Sequence, residues 1–109
     1  MNIEELKAIL DTTGFPVAYS HFVESENNPL PQTPFIVYLC TYSSNISADN
    51  TTYFPMQNVQ IELYTDKKDP MAESIVEAVL NANEIPFATT ESFIESENMF
   101  QKIYEMRLY

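Results

Sequence analysis

Apolar residues fall at every second position in Val59-Gln60-Ile61-Glu62-Leu63-Tyr64, the period of a strand with one face buried. The charged turn Asp66-Lys67-Lys68 follows, and then Asp69-Pro70. A carboxylate before a proline marks a helix start: the carboxylate accepts from free N–H groups, and Pro lacks the N–H that the first turn leaves unused. The pattern predicts a helix over Pro70 to about Asn83. Met71, Ala72, Ile75, Val76, Val79 and Leu80 form its buried face, and Glu73, Glu77 and Asn81 point outward.

The same reading extends to both ends. Asn2 to about Thr12 predicts a helix, with Asn2 and Glu5 at the spacing of a capping box and Ile3, Leu6, Ile9 and Leu10 as its stripe. Gly14, the only glycine, sits where a left-handed residue ends a helix. Pro16 to Phe22 predicts a short strand, and Glu24 to Pro34, with three prolines, a loop. The Pro31-Gln32-Thr33-Pro34 run reads as loop stiffening. Phe35 to Tyr42 is the strongest strand, apolar or aromatic on both faces, and so central or covered by a partner subunit. Ser43 to Thr52 reads as a mobile polar loop, and its two Asn-X-Ser/Thr sequons as chance matches. Tyr53 to Tyr64 predicts a long strand, with an interruption near Pro55, antiparallel to Phe35–Tyr42. Phe87–Glu95 and Met99–Leu108 predict two more strands joined at Ser96-Glu97-Asn98, with Phe100, Tyr104, Met106 and Leu108 on one face. The order is α-β-β-β-α-β-β, an α+β fold with two helices packed on a mostly antiparallel sheet.

Length and composition bound what this fold does. Residues 1–109 suffice for one domain with a real core, and a 45% hydrophobic share is ordinary for a globular chain. A single glycine excludes Gly-rich phosphate cradles. The formal charge of −11, with five Lys and Arg, has the wrong sign for gripping DNA or anionic lipid. The N-terminus lacks the basic start and apolar core of a signal peptide, and no apolar run is long enough to span a bilayer. With Cys40 the lone cysteine, these features predict a reducing cytoplasm.

No catalytic set emerges. His21, the only histidine, has Ser20, Glu24 and Ser25 nearby, but neighbours on a strand point to opposite faces, so Ser20–His21 is a poor dyad. Cys40 lacks a basic neighbour to activate it. Glu73 and Glu77 lack the histidine or second-helix acids of a metal site and read as a solvated face. No catalytic, cofactor or metal residue is expected. The tyrosines are the best candidates for function: Tyr38, Tyr42 and Tyr64 on strand faces and Tyr53 opening a strand suit either a subunit interface or a sheet face covered by its own helices.

Four segments together resemble a small tail-component family of siphophages and prophages of Gram-positive bacteria, similar to tail terminator or tail-completion proteins. They are Leu6 with Gly14-Phe15-Pro16-Val17-Ala18-Tyr19, Pro34-Phe35-Ile36-Val37-Tyr38, Ile61 to Asp69, and Phe93 to Gln101. The resemblance spans nearly the whole chain. It implies a non-enzymatic hexameric ring, assembled in the host cytoplasm, that caps the tail tube, meets the major tail protein on one side and docks the head-completion protein on the other. DNA would pass through without specific binding, which an acidic lumen favours. Two alternatives remain open: an acidic DNA mimic that inhibits a host DNA-binding protein, and a neighbouring head-completion or connector component.

Overall fold

The structure, a computed structural model, describes residues 1–22, 31–48 and 52–108, with the backbone alone over 42–48 and 52–56. Most of the Glu24–Pro34 loop, with Glu24 and Ser25, therefore lies outside the described residues, as do the side chains of both sequons. The elements run α1 (Ile3–Asp11), β1 (Val17–Tyr19), β2 (Phe35–Ala48), β3 (Thr52–Thr65), α2 (Pro70–Ala82), β4 (Ala88–Ile94) and β5 (Met99–Leu108), with a single 3-10 turn, Glu95–Glu97, between the last two. This is the expected α+β order. The strands form one sheet, β1-β2-β3-β5-β4, in which only β1 and β2 run parallel. Strands β3 and β4 are both antiparallel to β5, so α2 is the crossover that joins them.

Local chemistry sets the boundaries. The Asn2 side chain accepts from the Glu5 N–H at 2.8 Å, and Asp69 accepts from the Ala72 N–H at 3.1 Å. Gly14 takes φ +86, and Asn98, with φ 50, closes the β4–β5 connection in the left-handed region that Asn tolerates. Helix α2 ends differently. The Ile85 N–H reaches back to the Leu80 carbonyl and the Glu84 N–H to that of Asn81, while Ile85 and Leu80 are both buried. This is a Schellman ending, with Glu84 at φ 58 where glycine is usual.

Both helices pack on one sheet face. Leu6 and Leu10 of α1 and Ala72, Val76 and Leu80 of α2 meet Ile36, Tyr38, Val59, Ile61, Leu63, Tyr104, Met106 and Leu108. The register aligns these in rows, with Tyr38 opposite Ile61 and Ile61 opposite Tyr104. The alternate residues, among them Phe35, Val37, Glu62, Tyr64 and Ile103, face the other way.

Three expectations need correction. The Ser43–Thr52 segment is not a loop up to Ala48: Ser43–Ala48 pairs with Thr52–Gln57, and Pro55 lies in register opposite Asn45. A register shift between Cys40 and Tyr42 marks the only irregularity in that pairing, and the Thr41 hydroxyl there donates to the Asn58 carbonyl at 3.2 Å. Strand β1 covers only Val17–Tyr19, because Ser20 turns the chain at φ 67. Helix α2 is rotated from the predicted face: Met71 is 76% exposed, whereas Glu73 is only 7% exposed. Apolar residues at 71, 72, 75, 76, 79 and 80 cover so wide an arc that the sequence leaves open which half is buried.

Candidate assembly surfaces

The rotation of α2 brings its acids to the sheet. Lys68, in the turn before the helix, binds Glu73 at 2.9 Å and also Glu91 of β4. Lys102 of β5 binds Glu91 at 3.0 Å and approaches Glu73 at 3.5 Å. A buried carboxylate is tolerable only when paired, and Glu73 has two cations within reach. The pair of lysines holds the Glu91 carboxyl below the usual carboxylate range. Lys68 also lies 5.7 Å over the Phe100 ring. One step further along α2, the buried Tyr104 hydroxyl donates to Glu77 at 3.0 Å. Burial, and then Glu77 itself, raise the Tyr104 phenol far above its ordinary range. Glu73 and Glu77 are thus structural anchors of α2 rather than a solvated face. The signal was their place beside Ala72, Val76 and Leu80, one turn apart.

The other sheet face meets neither helix. At one corner Phe35 is buried between Phe22, edge-on at 5.4 Å, and Tyr64, stacked at 5.1 Å. A polar chain crosses three strands from there. Ser92 donates to the Gln101 carbonyl at 3.1 Å, Gln101 donates to the Tyr64 hydroxyl at 2.9 Å, and Tyr64 donates to Glu62 at 3.3 Å. Partial burial raises the Glu62 carboxyl, against the lowering effect of its hydrogen bonds. Toward β4 this face opens, with Ala88, Thr90 and Glu105 exposed.

The four candidate tyrosines separate on this frame. Tyr38 is 6% exposed on the helix-covered face, edge-on to Tyr19 at 5.2 Å, so in the single chain its ring presents little surface. Tyr64 lies half-buried on the opposite face. The side chains of Tyr42 and Tyr53 lie outside the described residues, although their backbones belong to β2 and β3.

The catalytic candidates stay dispersed. The Ser20 hydroxyl and His21 Nδ1 do come within 3.2 Å, because β1 has already ended, but both residues are exposed. Cys40 is half-buried beside the core, its backbone N–H donating to the Tyr19 hydroxyl at 3.3 Å. Asp66 accepts from Thr33 at 2.7 Å, tying the approach to β2 to the turn after β3. Among the described residues no group of three or more His, Cys, Asp or Glu side chains is placed to hold a metal. An open groove of about 530 Å³ at the end of the sheet is lined by Ile85, Phe87, Met106, Leu108, Glu105 and Arg107 among others. No helix among the described residues is long and apolar enough to cross a membrane.

The ends and edges of the sheet complete the picture. Strand β5 stops pairing with β3 at Leu108 opposite Gln57, and β1 stops at Tyr19 opposite Tyr38. Beyond those points, among the described residues, β2 and β3 pair only with each other, as an arm of Ser44–Ala48 against Thr52–Met56.

No protein-family model matches the chain, and no curated protein matches it in sequence. Among solved structures it is similar in fold to a chain in the virion of a native gene transfer agent particle. That likeness has a TM-score of 0.67 at 16% identity and covers 95% of this chain and 87% of that one.

Proposed function

We propose that this chain is a structural component of a phage-like particle, a tail terminator that closes into a ring on the tail tube and offers a docking surface to the head. The observation that carries the reading is the fold likeness to a virion chain over nearly the full length of both. The sequence resemblance adds the position at the end of the tail. An interface between two different surfaces of one protein closes a ring when its rotation closes. The helix-free sheet face and the projecting arm supply such surfaces. On this reading the chain works by shape, without catalysis, and its −11 charge keeps DNA moving through the ring rather than adhering. The DNA-mimic alternative is less well supported, because Glu73, Glu77 and Glu91 are bound within the fold rather than displayed as a row.

The test is capping. Purified chain mixed with tail tubes should bind one tube end, visible by negative-stain microscopy as a collar, and stop further addition of the major tail protein. Tubes that keep growing with no end density would overturn the proposal. Binding to heads but not to tubes would move the assignment to head completion.

A further inference from the structure

The two outer edges of the sheet are treated very differently. On one side β1 is three residues long and preceded by Pro16, and where it ends the Tyr19 hydroxyl takes the next β2 N–H, that of Cys40. Short strands, prolines and occupied N–H groups are how proteins guard an edge against pairing with another chain. On the other side β4 runs seven residues in unbroken register with β5, its one partner among the described residues. Its sequence Ala-Thr-Thr-Glu-Ser-Phe-Ile contains no Pro, Lys or Arg, and Thr and Phe favour strands. Its one charge, Glu91, is already met by Lys68 and Lys102, and Phe93 is half exposed. Apart from Glu91, β4 carries none of these guards.

The arm has the matching need. Among the described residues Ser43–Ala48 and Thr52–Met56 pair only with each other. A two-stranded ribbon is marginal in water and gains by acquiring a third strand. Within one chain β5 stands between β3 and β4, so the arm's edge and the β4 edge do not meet. Charge favours the match between copies. Asp49 is the only charged residue between Glu26 and Glu62, in a chain of sixteen acids. Segment 43–56 has Asp49 as its one charge and β4 has Glu91, which Lys68 and Lys102 already bind, so two copies, each at −11, meet here with little like-charge opposition.

We infer that the outer edge of β4, unpaired among the described residues, receives one strand of the Ser44–Ala48/Thr52–Met56 arm of a second copy of this chain as an added strand. The inference rests on the proposed ring and names the contact that builds it. Because arm and edge are different surfaces, each copy gives one and accepts one, which propagates around a closed ring.

Two variants test it together. One replaces Ser44–Met56 with Asn-Gly, removing the arm but keeping β4. The other, T89K/T90K, guards β4 but keeps the arm. Circular dichroism confirms that each folds. By native mass spectrometry the wild-type chain should form rings, alone at high concentration or on tubes, while each variant alone stays monomeric. An equimolar mixture should give a 1:1 dimer and nothing larger, since only one arm and one edge remain. Rings from either variant alone, or no dimer in the mixture, would overturn the inference. Hydrogen exchange on the wild type gives an answer independent of the variants: amides of Ala88–Ile94 should exchange more slowly in rings than in monomer. Rings without that protection would sink the β4 contact and leave the ring standing. A wild-type chain that is monomeric in solution and absent from tube ends would sink both.

Discussion

The two faces of the sheet are made from the same five strands yet finished by different means. The face under α1 and α2 is largely covered within the chain: its central apolar rows are buried, and the Lys68–Glu73–Glu91–Lys102 group clamps the start of α2 to β4 and β5. On the opposite face Phe35 and Val37 are buried, a chain of hydrogen bonds runs from Tyr64 to Ser92, and toward β4 the residues Ala88, Thr90 and Glu105 are exposed. Among the described residues most of the buried apolar side chains lie on the first face.

Truncating matched isoleucines measures the contrast. Ile61 is fully buried on the helix-covered face, and Ile103 is half-buried on the other. Ile61→Ala should cost about 2–5 kcal/mol, the usual range for a core cavity. Ile103→Ala should cost about 1 kcal/mol, since less area leaves water on folding. Denaturant unfolding of both variants checks this, and equal losses would mean that the helix-free face is as closed as its counterpart.

The clamp comes next in size. Glu73→Ala removes the acid that Lys68 and Lys102 share, and should cost about 1.5–3 kcal/mol, the range for hydrogen bonds to charged groups. Lys102 keeps Glu91, which holds the loss below that of a fully orphaned buried charge. A loss near zero would return Glu73 to the solvated role that the sequence suggested.

That reversal shows where sequence was informative. Strand period, the Asn2 and Asp69 caps and the single glycine produced the element order and most boundaries, because each is a local signal. What failed was rotational or long-range. Six apolar positions on α2 left its buried half undetermined, and the lysines that make Glu73 acceptable come from a turn and from β5, 29 residues further on. Ser43–Ala48 lacked apolar alternation because ladder pairing with β3, rather than burial, makes it a strand. That Tyr38 and Tyr64 lie on opposite faces depends on register, which no local signal carries. The β4 edge was invisible, since which strand lies outermost is a property of topology alone.

A smaller effect concerns the end of α2. Glu84 sits at φ 58, a conformation that disfavours any residue with a Cβ. Glu84→Gly should stabilise the fold by about 0.5–1 kcal/mol through relief of that strain. Thermal unfolding at neutral pH would register it as a rise of a few degrees.

The smallest prediction opposes two carboxylates, one per face. Burial raises Glu62 on the helix-free face, while Lys68 and Lys102 lower Glu91 on the other side. A raised folded-state pKa means that the folded chain holds its proton more tightly than the unfolded chain. Glu62 therefore makes the fold less stable as pH climbs from the ordinary carboxylate range to its raised value, and the deficit persists above it. Glu62→Gln removes that burden while keeping an acceptor for Tyr64, so it should be more stable than wild type at pH 7 and indistinguishable from it in strong acid. Glu91 has the opposite sign: its contribution is present above the ordinary range and is lost as pH falls through the lowered value. Glu91→Gln should therefore be less stable at pH 7, and its deficit should close in acid. Melting temperatures of the three proteins from pH 3 to 7, at one salt concentration, should fan out on either side of wild type as pH rises. If both variants fall on the same side at pH 7, Glu62 is not held in a desolvated setting.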